Sequence, residues 1–119
     1  MDTEELLGVE AGEDGATFEM ANVFPAETGL PFVVYISERG RARHDVRVKV
    51  AGGPKARDFV ASLSVRPDVR VVAGTLSAEH LALAQQWIDL NRDTIVGYWD
   101  GDIGSTREAL DALVALPAP

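Results

Sequence analysis

Hydrophobic and polar positions alternate with a period of two along the first part of the chain, a pattern typical of β-strands. Residues 17–24 predict a weak first strand, which Pro25 ends. Residues 32–36 are β-branched or aromatic throughout, so we expect a central strand that is covered on both faces. Residues 45–50 alternate valines with polar side chains, which places the valines inward and the polar residues outward. The last two segments most simply pair as an antiparallel hairpin.

A second hairpin precedes a change of period. Residues 60–66 and 69–73 flank Pro67 and Asp68, a turn-forming pair, and each segment alternates apolar and polar positions. Gly74 ends this hairpin. Beyond Gly74 the apolar residues recur every three or four positions, which is the spacing of an amphipathic helix. The chain therefore places its strands first and its helices last.

Two C-terminal helices are predicted, each with its own start and stop signals. Ser77 caps a helix that runs to about Trp99, and Gly101 suits the left-handed position that ends it. Residues 105–108 form a capping box that starts a short helix, which Pro117 ends. The apolar positions of the short helix are Ala109, Leu110, Leu113 and Leu116. We expect an α+β fold, in which an antiparallel sheet of four to five strands carries both helices on one face.

Length and composition restrict the class of protein. The 119 residues predict one domain over residues 16–119, after a loosely ordered segment, residues 1–15, that carries six acids. The absence of cysteine excludes disulfides, thiol catalysis and cysteine-ligated metal sites. The amino terminus is acidic and the longest apolar run has five residues, so we expect neither a signal peptide nor a membrane span. The expected location is the cytoplasm.

The charges are distributed unevenly along the chain. Eleven basic and 19 acidic residues give a net charge of −8. Residues 39–70 alone hold nine basic and three acidic residues, or +6, so the remainder carries −14. Three interpretations of this basic block are open. It is solvated or neutralised within the chain, or it binds a protein partner or a second copy, or it binds nucleic acid. The candidate binding residues are Arg43, Arg47, Lys49, Arg66 and Arg70.

Catalytic and metal-binding patterns are poorly represented in the sequence. His44 is a weak catalytic candidate. His80 lies in the first turn of the long helix, and the spacing of the two histidines matches no metal-binding motif. Asp89 and Asp93 share a helix face, but an acidic solvent-facing stripe explains them equally well. We therefore predict neither a metal site nor a cofactor. The aromatic residues at helical spacing are expected to be core anchors rather than a ligand cage; they are Trp87, Tyr98 and Trp99.

A longer pattern covers about residues 30–100. A strand with a histidine is followed by a hairpin, a Gly-x-Leu step and a helix with Trp-Ile and a later Trp. The matching positions are 44–50, 61–65, Gly74, Thr75, Leu76, Leu81, Trp87, Ile88 and Trp99. The pattern resembles the bacterial family called "domain of unknown function 4160". Members usually carry H-x-H on the strand, where this chain has Arg43-His44-Asp45, so no role of a histidine pair carries over. The resemblance implies a small gene beside another small gene, an arrangement similar to toxin–antitoxin modules.

Together these observations favour a non-enzymatic interaction protein that binds a partner protein, or itself, through a bipolar charged surface. The resemblance adds the expectation that it is one half of a two-gene module. The alternatives are a nucleic-acid-binding protein that uses the basic sheet face, and an RNA-cleaving toxin that uses His44 with Arg43 or Arg47.

Overall fold

The computed structural model describes residues 20–55 and 59–117, and its centre is one antiparallel sheet. Five strands lie side by side in the order in which they occur along the chain, each hydrogen-bonded to the next. Their bounds are β1 (Met20–Val23), β2 (Val34–Ser37), β3 (Arg47–Ala51), β4 (Phe59–Ser64) and β5 (Val71–Gly74). Both predicted hairpins are present, because β2 pairs antiparallel with β3 and β4 pairs antiparallel with β5. The predictions for residues 1–15, and for the start of the first strand at residues 17–19, lie outside the described residues.

Three helices accompany the sheet within residues 20–55 and 59–117. They are α1 (Pro25–Thr28), α2 (Ala78–Asp100) and α3 (Thr106–Ala112). The predicted caps of the two longer helices are confirmed: the Ser77 hydroxyl accepts from the His80 amide at 3.1 Å, and the Ser105 hydroxyl accepts from the Glu108 amide at 3.1 Å. Gly101 ends α2 with a left-handed φ of 85°. The α+β architecture predicted from the change of period is therefore correct.

The main core lies between one face of the sheet and the helices. Val48, Val50 and Leu63 are fully buried on that face. The aromatic residues of α2 pack against the same cluster, and the exposed fraction is 1% for Trp87 and 4% for Trp99. The prediction that the helix aromatics are core anchors is confirmed. Among the described residues, no helix has both the length and the apolar character needed to cross a bilayer.

Two local features differ from the sequence predictions. The single turn of α1 was not predicted, although Pro25 at its start, Glu27 in its first turn and Gly29 after it, at φ 80°, are ordinary helix signals. The Glu27 carboxylate accepts from the Phe24 amide at 3.1 Å. The second difference is that α3 ends at Ala112 rather than at Pro117, so residues 113–117 are not helical.

The reason for the early end of α3 is a side chain on the long helix. Asn91 is 2% exposed, and its amide pairs with both backbone groups of Val114. The Val114 amide donates to Asn91 Oδ1 at 2.7 Å, and Asn91 Nδ2 donates to the Val114 carbonyl at 2.9 Å. Further on, the Leu116 amide donates to the Thr28 carbonyl at 2.8 Å. These bonds hold the segment extended against the body of the protein, in place of the helical bonds that the leucine spacing predicted.

Candidate interaction surface

The loop between β2 and β3 carries a run of arginines that we call the arginine loop, residues 38–46. Arg39, Arg41 and Arg43 are exposed on it, and Arg47 follows, half-buried, at the start of β3. None of these four forms an ion pair with another described residue. Four guanidinium groups without an ion-pair partner in the described part of the chain are thus placed close together in sequence at one end of the sheet.

The arginine loop is attached to the end of α2 by backbone and ring contacts. The Arg39 amide donates to the Trp99 carbonyl at 3.1 Å. A turn follows, in which the Ala42 amide donates to the Arg39 carbonyl at 2.9 Å and Gly40 takes a left-handed φ of 54°. The His44 ring stacks on the Trp99 indole, with centroids 5.7 Å apart and planes 25° from parallel. The loop is therefore held in one conformation at both of its ends.

A two-point ion pair adds a third attachment. Arg66 Nε and Nη2 donate to the two carboxylate oxygens of Asp45 at 2.8 and 2.9 Å, and Asp100 lies 3.8 Å from Nη2. The hydrogen bonds from Arg66 lower the pKa of Asp45 to about 2 from its ordinary value of 3.8. The same hydrogen bonds raise the pKa of Arg66. Asp45 thus ties the arginine loop to the segment that follows β4.

The structure places the predicted binding residues in three different situations. Arg66 is bound to Asp45, and Arg70 lies 3.2 Å from Asp68, so the charge of each is matched by a neighbouring carboxylate. Lys49 is only 8% exposed, and its Nζ lies 5.6 Å from the centroid of the Phe59 ring. Arg43 and Arg47, by contrast, form no ion pair with any described residue. The structure therefore does not bring all five residues into one unpaired basic patch.

His44, the catalytic candidate, makes a contact that fixes the position of its ring. His44 Nδ1 lies 2.7 Å from the backbone carbonyl of Asp45, whereas the carboxylate of Asp45 is engaged by Arg66. The contact between His44 and Asp45 is therefore one of imidazole and backbone carbonyl rather than of imidazole and carboxylate. His80 lies 5.0 Å from the ring of Phe32, at the start of α2. Of the two helix carboxylates considered for a metal, Asp89 accepts from Arg92 at 2.7 Å, and the described residues contain no group of three metal-ligating side chains.

A concave feature lies between α2 and the turn that joins β4 to β5. It has a volume of about 370 Å³ and is mostly polar. Arg92 donates to the Val65 carbonyl at 3.1 Å, and Gln85 donates to the Val69 carbonyl at 3.1 Å. The lining residues are Pro67, Asp68, Val69, Gln85, Asp89 and Arg92. Because its charged and amide groups already have ion-pair or hydrogen-bond partners in the chain, this feature offers less binding capacity than the arginine loop.

The selection of binding residues from the sequence omitted Arg39 and Arg41. Both belong to the basic block, but the selection favoured outward positions on strands, and these two residues lie before the strand begins. The available signal was the recurrence of arginine at every second position in 39–43, directly after a turn. That recurrence concentrates positive charge in a short segment. Because the segment precedes β3, a search limited to outward positions on strands overlooks it.

The fold and the surface define an α+β protein with a five-stranded antiparallel sheet, a helical layer on one face, and an anchored arginine loop at one end. Comparisons with protein-family models, with curated proteins and with solved structures found no match to this chain.

Proposed function

We propose that this chain is a small, non-enzymatic interaction protein that binds a partner protein, or a second copy of itself, through the arginine loop. One observation carries the proposal. Four of the eight described arginines are matched to the carboxylate of a described residue, whereas the four at positions 39, 41, 43 and 47 have no such match in the described part of the chain. Guanidinium groups bind carboxylates through two parallel hydrogen bonds, so the unmatched group suits an acidic surface.

The anchoring of the loop supports a binding role. Ordering a flexible segment on association lowers affinity, and a segment that is already ordered avoids that cost. The Arg39 amide, the His44 ring and the Asp45 carboxylate each attach the loop to the body of the protein. The arginines are therefore presented on a backbone that needs little rearrangement when a partner binds.

The surroundings of the loop favour a protein partner over nucleic acid. Proteins that bind single strands use exposed aromatic rings as stacking platforms, and here Trp99 is 4% exposed and already stacked on His44. The carboxylate of Asp45 lies within the loop and that of Asp100 lies near Arg66, and both disfavour a continuous phosphate backbone at this place. A partner with a localised acidic patch avoids both problems. The family resemblance makes the product of a neighbouring gene the first partner to examine.

The proposal is tested by co-expression of the chain with the neighbouring gene product and by affinity capture from the source organism. Three forms are compared: the native chain, a variant with Arg39→Ser, Arg41→Ser and Arg43→Ser, and the control Arg107→Ser. Arg107 is exposed and pairs with Asp111 at 3.5 Å, so the control removes an arginine that is already matched. We expect a protein that co-purifies with the native chain and the control and is lost with the triple variant.

Each competing interpretation has a distinct outcome in the same experiment. A nucleic-acid absorbance signal that disappears with the triple variant and falls steeply with salt would establish nucleic-acid binding instead. Self-association is detected by light scattering, and it supports the proposal only if the triple variant is monomeric. A partner that the triple variant retains would contradict a role for the loop.

A further inference from the structure

The stretch that follows α3, residues 113–117, lies against α1 and α2 as a non-helical strap. Its Val114 amide and carbonyl both pair with the Asn91 side chain, and its Leu116 amide donates to the Thr28 carbonyl in α1. Each of these bonds uses a main-chain group of the strap. Domains that bind extended peptides use the same mode, in which main-chain hydrogen bonds give affinity and side-chain pockets give specificity. The strap is therefore bound in the manner of an extended peptide ligand.

The polar part of the groove under the strap is the side chain of Asn91. Its carboxamide accepts from the Val114 amide at 2.7 Å and donates to the Val114 carbonyl at 2.9 Å, as a neighbouring β-strand would do. A further bond, from Asn91 Nδ2 to the Trp87 carbonyl at 2.9 Å, orients the amide from its own helix. One donor and one acceptor are thus already directed at the main chain of the occupant, whatever side chain that residue carries.

The apolar part of the groove receives two leucines of the strap. Leu113 and Leu116 pack against the main core, whereas Val114 is 53% exposed. Gly29 makes room for Leu116, because a β-carbon on Gly29 would lie 3.1 Å from the Leu116 carbonyl oxygen and 3.2 Å from its β-carbon. The groove therefore selects large aliphatic side chains at two positions three apart, and it tolerates many side chains at the position that follows the first.

We propose that this groove binds an extended segment of another protein, uncharged and with large aliphatic residues three positions apart, and that the strap occupies the groove as an intramolecular competitor. The occupant seen in the structure defines this chemistry, since the strap has the sequence Leu-Val-Ala-Leu-Pro and carries no charge. The site is separate from the one in the proposed function, because Thr28, Gly29 and Asn91 all lie outside the arginine loop.

Release of the strap does not require the sheet to unfold. The strap lies outside the regular elements, and Val114, Ala115 and Pro117 are exposed on it. Segments with few buried apolar contacts open locally at low free energy. The tethered strap is nevertheless a strong competitor, because its effective concentration at the groove is on the order of millimolar. A free segment of the same chemistry therefore binds well only where the strap has been weakened.

The competition is tested with a peptide that has the sequence of residues 112–117 and blocked ends. It is added to the isotope-labelled full chain, and the NMR signal of the Asn91 side-chain amide reports binding. The double variant Leu113→Ser with Leu116→Ser weakens the strap, and it should bind the peptide at least about tenfold more tightly than the native chain. Val114→Ser changes an exposed strap side chain and should bind as weakly as the native chain. Leu116→Ala is milder and should bind at intermediate strength, so the result does not depend on the folding of the double variant alone.

Changes in the peptide test the main-chain recognition itself. N-methylation at the position of Val114 removes the donor to Asn91 Oδ1 and should weaken binding at least about tenfold. The same change at the position of Ala115, whose amide forms no hydrogen bond with another described residue, should weaken binding much less. The proposal is overturned if the strap variants bind the peptide no more tightly than the native chain, or if both methylated peptides lose the same affinity. Dimers of the native chain that dissociate in the double variant would assign the groove to the strap of a second copy, which also overturns it.

Discussion

Replacement of Asn91 by alanine is expected to destabilise the protein by about 2–3 kcal/mol. The side chain is 2% exposed and forms three hydrogen bonds, two of which go to the backbone of Val114. The third goes to the Trp87 carbonyl, which also belongs to the hydrogen-bond ladder of α2. The main loss therefore falls on the two bonds to Val114, at about 1 kcal/mol each, with the lost packing of the amide added.

The assay is urea unfolding, followed by circular dichroism and combined with amide hydrogen exchange. The chain contains a second asparagine, Asn22, which is exposed on β1, so Asn22→Ala is a matched control with an expected loss below about 0.5 kcal/mol. Hydrogen exchange should accelerate at the amides of Val114 and Leu116, which the extended segment holds against Asn91 and Thr28. Asn91→Asp should cost at least as much as alanine, because a carboxylate accepts but cannot donate to the two carbonyls.

Equal losses of unfolding free energy in Asn91→Ala and Asn22→Ala, together with unchanged exchange at Val114, would refute a stabilising role of the Asn91 bonds. A normal global stability with fast exchange at Val114 would have a different meaning. It would show that the segment after α3 opens locally, without the rest of the domain. The bonds would then be real, but they would stabilise only the segment.

Further predictions concern the core, the ion pair and two glycines. In urea unfolding, Trp87→Ala should cost about 3–5 kcal/mol because Trp87 is buried, and Trp87→Phe should cost about 1–2 kcal/mol. The phenylalanine variant loses less because the indole nitrogen has no hydrogen-bond partner among the described residues. Equal losses in the two variants would contradict this prediction. The native chain should be more stable than Asp45→Asn by its full margin above about pH 4, and this margin should shrink as the pH falls toward 2. The reason is that Arg66 lowers the folded-state pKa of Asp45 to about 2, so that protonation near this pH removes the ion pair. Urea titrations between about pH 2 and 7 measure the margin, and a margin independent of pH would refute the prediction. Gly74→Ala should lower the free energy of unfolding by at least about 2 kcal/mol, and Gly101→Ala by about 1 kcal/mol. The φ angle is positive at both glycines (78° and 85°), but only at Gly74 would an added β-carbon collide with the backbone of β4. Thermal unfolding of the two variants measures the difference, and a larger loss for Gly101→Ala would contradict the prediction.

Most of the fold could be predicted because its signals are local. The alternation in residues 45–50 identified β3, and Ser77 and Gly101 bounded α2 to within a residue at its end. A cap acts on amides two or three positions away, so it can be recognised without knowing the rest of the structure. The apolar spacing of Leu113 and Leu116 was a local signal too, but it predicted the wrong end for α3, because the competing partner of that segment lies 23 residues away in sequence.

The candidate surface was less predictable. The sequence placed the positive charge in residues 39–70, and the structure shows which of those charges are matched. The pair between Asp45 and Arg66 spans 21 positions and depends on how β3 and β4 are aligned. Without that alignment, Arg66 and Arg43 are equivalent as candidate binding residues. With it, Arg66 is paired with Asp45, whereas Arg43 forms no ion pair with another residue that the structure describes.

By itself, then, the sequence determined the order of strands and helices, the inward valines of β3, the burial of the α2 aromatics and the position of the basic block. These depend on periodicity and on contacts within a few residues. The tertiary structure alone decided that Arg39, Arg41, Arg43 and Arg47 form no ion pair with another described residue, and that Lys49 lies buried beside Phe59. Both outcomes are set by strand register, which brings together side chains that are distant in the chain, and no local pattern of residues encodes those distances.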